Sequence, residues 1–131
     1  MTDSVRIYRD ISVSVKVHYL RHESNPNDLR WVFAYTITIQ NNGQIPMQLI
    51  DRHWEITSGV ENDVEIVDGD GVVGKQPRLE PGEGFQYTSA AVLESSFGTM
   101  EGHYNFRDDV GEWYRVPINP FILSIPGETL N

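Results

Sequence analysis

The sequence predicts an all-β sandwich of about seven to eight strands. Three observations carry that reading. Apolar residues recur at every second position through most of the chain, no window of twelve residues shows a helical period, and turn signals separate the alternating segments at the spacing of a sandwich or barrel.

The elements follow in order. Ile11, Val13, Val15, Val17 and Tyr19 fall on one face of an extended segment, with Ser12, Ser14, Lys16 and His18 on the other. Ser24–Asp28 reads SNPND, a loop. Trp31, Phe33, Tyr35, Ile37 and Ile39 then alternate with small or hydroxylic residues, and Asn41–Gly43 reads as a turn. A third strand spans Met47–Thr57, with Ile50, Arg52, Trp54 and Ile56 on one parity and Met47, Leu49 and Asp51 on the other. Val64–Val67 is a short strand running into a glycine-rich loop. Phe85–Ser89 and Met100–Phe106 follow, the latter with Met100, Gly102, Tyr104 and Phe106 on one face. Two last strands, Trp113–Ile118 and Phe121–Ile125, are separated by a break marked by Pro117 and Pro120.

One local pattern sharpens the architecture. Leu79–Tyr87 reads LEPGEGFQY, a leucine, a Pro-Gly turn and two aromatics at alternate positions. It resembles the corner in immunoglobulin-like and fibronectin type III-like sandwiches where a leucine plugs the core before an inward aromatic strand. The expectation is one domain over residues 1–131, with loosely held tails before Ser4 and after Pro126.

Composition narrows the function classes. The chain has 131 residues and no cysteine, which removes disulfides, thiolate metal sites and cysteine nucleophiles. Its net charge is −9, and the excess is placed unevenly. Residues 1–60 hold six basic and six acidic side chains, whereas residues 61–131 hold four and thirteen. The densest stretch contains Glu61, Asp63, Glu65, Asp68 and Asp70, read as a solvated edge or loop. Such a charge argues against nucleic acid and anionic membrane. No secretory h-region opens the chain, and its longest apolar run, Trp31–Tyr35, is far too short to span a bilayer. The expectation is a cytoplasmic protein without membrane insertion. A homo-oligomer is compatible with the sequence.

Candidate sites are few. Gly69, Gly71 and Gly74 match G-x-G-x-x-G after a strand. A dinucleotide site needs a helix to start within that motif, and Pro77 argues against one. What remains is a glycine loop whose backbone N–H groups could cradle phosphate, with Lys75 and Arg78 as counter-charges. The acidic run fails the calcium-loop template, since Val72, Val73 and Leu79 occupy the positions that need an oxygen ligand, glycine and glutamate. His18 and His22 stand too far apart on an extended chain to chelate, and only the fold can bring His53 and His103 together. No nucleophile elbow is present and no catalytic residue, cofactor or metal site is assigned. Arg52, His53 and Trp54 stand in succession. They read either as a core tryptophan with a snorkelling arginine or as a partner surface.

These segments together resemble the bacterial ApaG family. The residues that carry the likeness are VFAYTITIQN at Val32–Asn41, Gln48, Leu49, Arg52, His53 and Trp54, GDGVVGKQPRLEPGEGFQYTS at Gly69–Ser89, Gly98, Met100, Gly102 and Tyr104, and PFILSIP at Pro120–Pro126. The likeness runs from about Val5 to the C-terminus. It implies a fibronectin type III-like sandwich, an association with cobalt resistance and magnesium efflux, and relatives within some F-box proteins and a DNA-polymerase-delta-interacting protein. It carries over no catalytic residue. The leading expectation is a non-enzymatic binding or adaptor domain with a protein partner. The alternatives are a phosphate or nucleotide binder through Gly69, Gly71, Gly74 and Lys75, and a direct divalent-cation binder through Glu61–Asp70 or the histidines.

Overall fold

The computed structural model describes residues 5–59 and 63–127. Its strands are β1 (Arg6–Ile7), β2 (Ile11–Tyr19), β3 (Trp31–Asn41), β4 (Met47–Ser58), β5 (Asp63–Asp70), β6 (Arg78–Leu79), β7 (Gly84–Leu93), β8 (Phe97–Asp108) and β9 (Trp113–Ser124). The larger sheet has the order β1-β9-β8-β4-β5, with β6 also on β4, and the smaller has β2-β3-β7. All pairs are antiparallel except β1 with β9. This is the fibronectin type III-like sandwich expected, with seven long strands and two of two residues. Among the described residues there is no α-helix, and no helix is long and apolar enough to cross a membrane.

Alternation builds the core. Phe33, Tyr35, Ile37 and Ile39 of β3 are buried against Trp54, Met100, Tyr104 and Phe106 of the larger sheet. The hydroxylic outer face of β3 is satisfied across the ladder, with Thr36 and Thr88 hydroxyls 2.8 Å apart and Gln86 Nε2 donating to Thr38 at 2.9 Å. Leu79 is 4 % exposed and joins the core, so the corner leucine plugs the sandwich as its sequence context suggests. Asn41 is fully buried and knits that corner to the β3–β4 turn. Its Nδ2 donates to the Ile45 and Leu79 carbonyls, and its Oδ1 accepts from Gly43 N–H.

Three expectations change. Trp113–Ile118 and Phe121–Ile125 are not two strands but one, β9, because a bulge opposite Met100–Gly102 absorbs Asn119 and Pro120 without ending the ladder. Beyond the reach of β1, that part of β9 is an edge among the described residues, where proline is tolerated. The Val64–Val67 strand extends to Asp63–Asp70, which puts Gly69 in the sheet. The Phe85–Ser89 strand extends to Gly84–Leu93.

A second bulge matters for function. The β4–β8 register slips between Leu49 and Asp51, leaving Ile50 as the extra residue. Met47 and Leu49 before it, and Trp54 after it, are therefore all buried on the core side despite opposite parity. The bulge brings Arg52 onto the inward parity and sends Asp51, His53 and Glu55 outward.

Candidate functional site

The glycine segment folds down onto the β4 bulge. Gly71 N–H and Gln76 Nε2 both donate to the Ile50 carbonyl, at 2.8 and 2.9 Å, and Gln48 Nε2 donates to the Gln76 carbonyl at 3.0 Å. Its tip is a two-residue turn closed by paired Val72–Lys75 backbone bonds of 2.8 and 2.9 Å. Val73 at φ 44° and Gly74 at φ 79° both take the left-handed region, as a type I′ turn requires. Valine is badly suited to that region, because its branched Cβ crowds the backbone. No helix follows the motif, so the pyrophosphate geometry of a dinucleotide fold is absent from the described residues.

The four candidate phosphate residues are thus distributed. Gly69 lies within β5, opposite Arg52. Gly71 is a buried link, while Gly74 and Lys75 are exposed at the tip. Arg78 is engaged elsewhere, in a two-pronged pair with Asp109 at 2.6 and 3.0 Å and a further contact to Glu80 at 2.6 Å. These carboxylates hold its charge firmly, and the Arg78 guanidinium in turn holds the Asp109 carboxyl below its usual range.

Arg52, His53 and Trp54 part company because successive strand residues face opposite ways. Trp54 is 2 % exposed and makes edge-on contacts with Tyr35, Phe121 and Tyr104 at centroid distances of 5.7, 5.9 and 6.2 Å. It is a core residue, and the three do not form one surface. Arg52 points inward at the open side of the sandwich. Its Nη1 donates to the Asp70 and Gly71 carbonyls at 3.0 and 2.7 Å. Its guanidinium packs so closely over Gly69 that any Cβ there would meet it at 2.7–2.8 Å. Around it lies a pocket of about 250 Å³ lined by Tyr35, Trp54, Asp70, Val72, Val73, Gly74, Tyr87 and Ser89.

Burial pushes the Tyr35 phenol up, opposed by the Ser89 hydroxyl and the Arg52 charge. Burial also raises Tyr87 and Tyr104, whose hydroxyls bond one another. All three remain protonated donors near neutral pH. Strand parity in the sequence places these tyrosines on apolar faces, and the further signal there is that a buried tyrosine must find a partner for its hydroxyl.

The outward side of β4 holds a different cluster. His53 faces His103 across the β4–β8 ladder, with the rings stacked at 4.9 Å and 19° apart. His53 Nδ1 lies 2.6 Å from Asp68 and Nε2 lies 3.5 Å from Glu55. Asn105 Nδ2 donates to Asp51 at 2.6 Å. Burial first, then Arg115 and His53, hold His103 below the usual histidine range. The fold does bring together the two histidines that are remote in sequence. Yet among the described residues no group of three or more His, Asp or Glu side chains is arranged to hold a metal ion. Of the acidic run proposed for cations, Glu61 lies outside the described residues. Asp63, Glu65, Asp68 and Asp70 are spread along β5.

The β5 strand is itself exposed. Among the described residues it is paired on one side only, with β4; it carries four carboxylates along with Val64 and Ile66, which are 54 % and 51 % exposed.

The comparisons with known proteins agree with this architecture. A family model described as the ApaG domain matches residues 21–108. "Protein ApaG" of Xanthomonas oryzae pv. oryzae is 50 % identical over 116 residues, 88 % of this chain and 91 % of the relative. That of an Enterobacter species is 48 % identical over 126 residues, 96 % and 97 % of the two chains. A crystal structure of a Bordetella pertussis protein described as ApaA superposes with a TM-score of 0.88 at 46 % identity, covering 95 % of this chain and all of that one. The domain match reaches from the first loop through the glycine segment and the stacked histidines to the end of β8, so the pocket and both faces of β4 fall within it: the chain belongs to the ApaG family.

Proposed function

We propose that this protein is a non-enzymatic, cytoplasmic protein-binding domain whose partner is an extended segment rich in Lys or Arg and apolar residues. The observation that carries the reading is the β5 edge. It has eight residues without proline, a free outer side among the described residues, four carboxylates, no basic residue and two exposed apolar side chains. An added strand would bond to its backbone, while the side chains select for opposite charge. A second copy of the chain fits poorly, because it would oppose carboxylate to carboxylate. The inward-parity Asp63 and Glu65 further discourage self-pairing. Any role in cobalt resistance or magnesium efflux is then indirect, exerted through the partner.

The test uses synthetic ten-residue peptides that alternate Lys with Val or Ile, against Glu-substituted controls. Lysine peptides should bind, protect β5 amides from hydrogen exchange, and weaken about tenfold on doubling Asp63→Lys with Glu65→Lys. Equal binding of both peptide sets, or protection confined to another strand, would overturn it.

A further inference from the structure

The pocket on the inner side of β4 shares only Asp70 with β5 and does not depend on the strand-addition reading. It contains a cation with unused donors. Arginine has five N–H groups, and Arg52 spends only Nη1 on the two loop carbonyls. Among the described residues no carboxylate lies within ion-pair distance of it, and its Nε and Nη2 have no hydrogen-bond partner. A half-buried guanidinium is normally matched by an anion. Here the match is missing, although four carboxylates occupy the adjoining strand.

The surroundings are those of a binding site. The guanidinium is held in place from two sides, by the Asp70 and Gly71 carbonyls and by the bare backbone of Gly69. Tyr35 and Ser89, from the facing sheet, bring hydroxyl donors to the same pocket, and Trp54 forms an apolar floor. The tip that closes one end carries Val73 in a backbone conformation costly for valine. Such strain clusters where a ligand contact depends on it.

We propose that this pocket binds a single carboxylate group, with Arg52 as the charge partner and the Tyr35 and Ser89 hydroxyls as further donors. The flat two-pronged edge of guanidinium matches a carboxylate. About 250 Å³, the space of roughly eight waters at about 30 Å³ each, holds a carboxylate together with a small attached group. A phosphate dianion is disfavoured, because Asp70 lines the pocket of a chain of net charge −9 and the repulsion scales with ligand charge. The carboxylate has two sources, a free small acid or the C-terminus of a peptide, and both present the same chemistry.

The experiment is a titration followed by amide and indole NMR shifts, at ionic strength held constant with NaCl. The probes are acetate, inorganic phosphate, and one apolar tripeptide with either a free or an amidated C-terminus. Acetate should give saturable shifts at the Trp54 indole N–H and at the Gly71 and Gly74 amides, and phosphate should bind more weakly. A free-acid tripeptide at least about tenfold tighter than acetate identifies the peptide source. Equal or weaker binding identifies the small acid, and the amidated peptide should not bind in either case. Arg52→Gln should abolish the shifts. Because Arg52 also holds the loop, Tyr35→Phe and Ser89→Ala supply the decisive variants. Each leaves the loop bonds intact and should weaken acetate about two- to tenfold. Non-saturating shifts in the wild type, affinity unchanged in both hydroxyl variants, or phosphate binding as tightly as acetate would each overturn the proposal.

Discussion

Arg52 and His53 are adjacent in sequence and lie on opposite sides of the larger sheet, and the two sides are built differently. The outward cluster of His53, His103, Asp68 and Asp51 comes entirely from neighbouring strands in register. Once β4 is paired with β5 and β8, its composition follows. The inward pocket draws on three sources that register does not link. These are the bulge that turns Arg52 inward, the glycine segment folded over it, and Tyr35, Tyr87 and Ser89 from the other sheet. A ladder is specified by backbone bonds at fixed spacing, whereas a space between sheets is specified by packing. The first is therefore robust to side-chain change and the second sensitive to it.

That contrast can be broken most severely at Trp54. Trp54→Ala should cost about 3–5 kcal/mol in urea denaturation, by emptying the floor of the inner pocket. His53→Ala, one residue away with a side chain 25 % exposed, should cost far less. Similar losses at the two positions would mean that the two sides are equally packed and the contrast is false.

The tip of the glycine segment gives a smaller effect of opposite sign. Val73→Gly should stabilise the fold by about 1 kcal/mol, since glycine takes positive φ without the Cβ penalty. A loss of stability in the same denaturation measurement would show that Val73 packs usefully where its exposure of 54 % suggests it does not.

The outward side should respond to pH, with the smallest effect. His103 titrates below its ordinary value in the fold, through burial, Arg115 and His53, and near about 6.5 when unfolded. The unfolded chain therefore takes up the proton first. The contribution of His103 to stability is complete above about pH 6.5 and is lost as pH falls through the lower folded value. Denaturation at about pH 7.5 and about pH 5 should show this loss in the wild type and less of it in His103→Asn. An identical pH dependence in both would remove His103 as its source.

Much of the sandwich was legible because strand period and turn chemistry are local. The alternation at Ile11–Tyr19 and Trp31–Ile39 and the Leu79 corner fall where the sequence places them, while the turn read at Asn41–Gly43 lies one residue on, with Asn41 ending β3. What was missed needed a partner strand. Pro117 and Pro120 break a ladder only if both sides of the strand are paired, and among the described residues one side is free there. The Ile50 bulge explains why two parities of β4 both looked apolar, and it is visible only against β8. The succession of Arg52, His53 and Trp54 was conspicuous in the sequence, but adjacency suggested one surface where the pleat makes two.

The sequence by itself determined the strands, their faces, the uneven charge and the family pattern, because each is written in residue type and spacing over short distances. The tertiary structure alone decided that His53 meets His103, that among the described residues Arg52 stands beside Tyr35 and Ser89 without an ion-paired carboxylate, and that the acidic strand lies at an edge of the described sheet. Those are relations between segments far apart in the chain. They arise when two sheets close over a shared core, and no local rule encodes the distance between them.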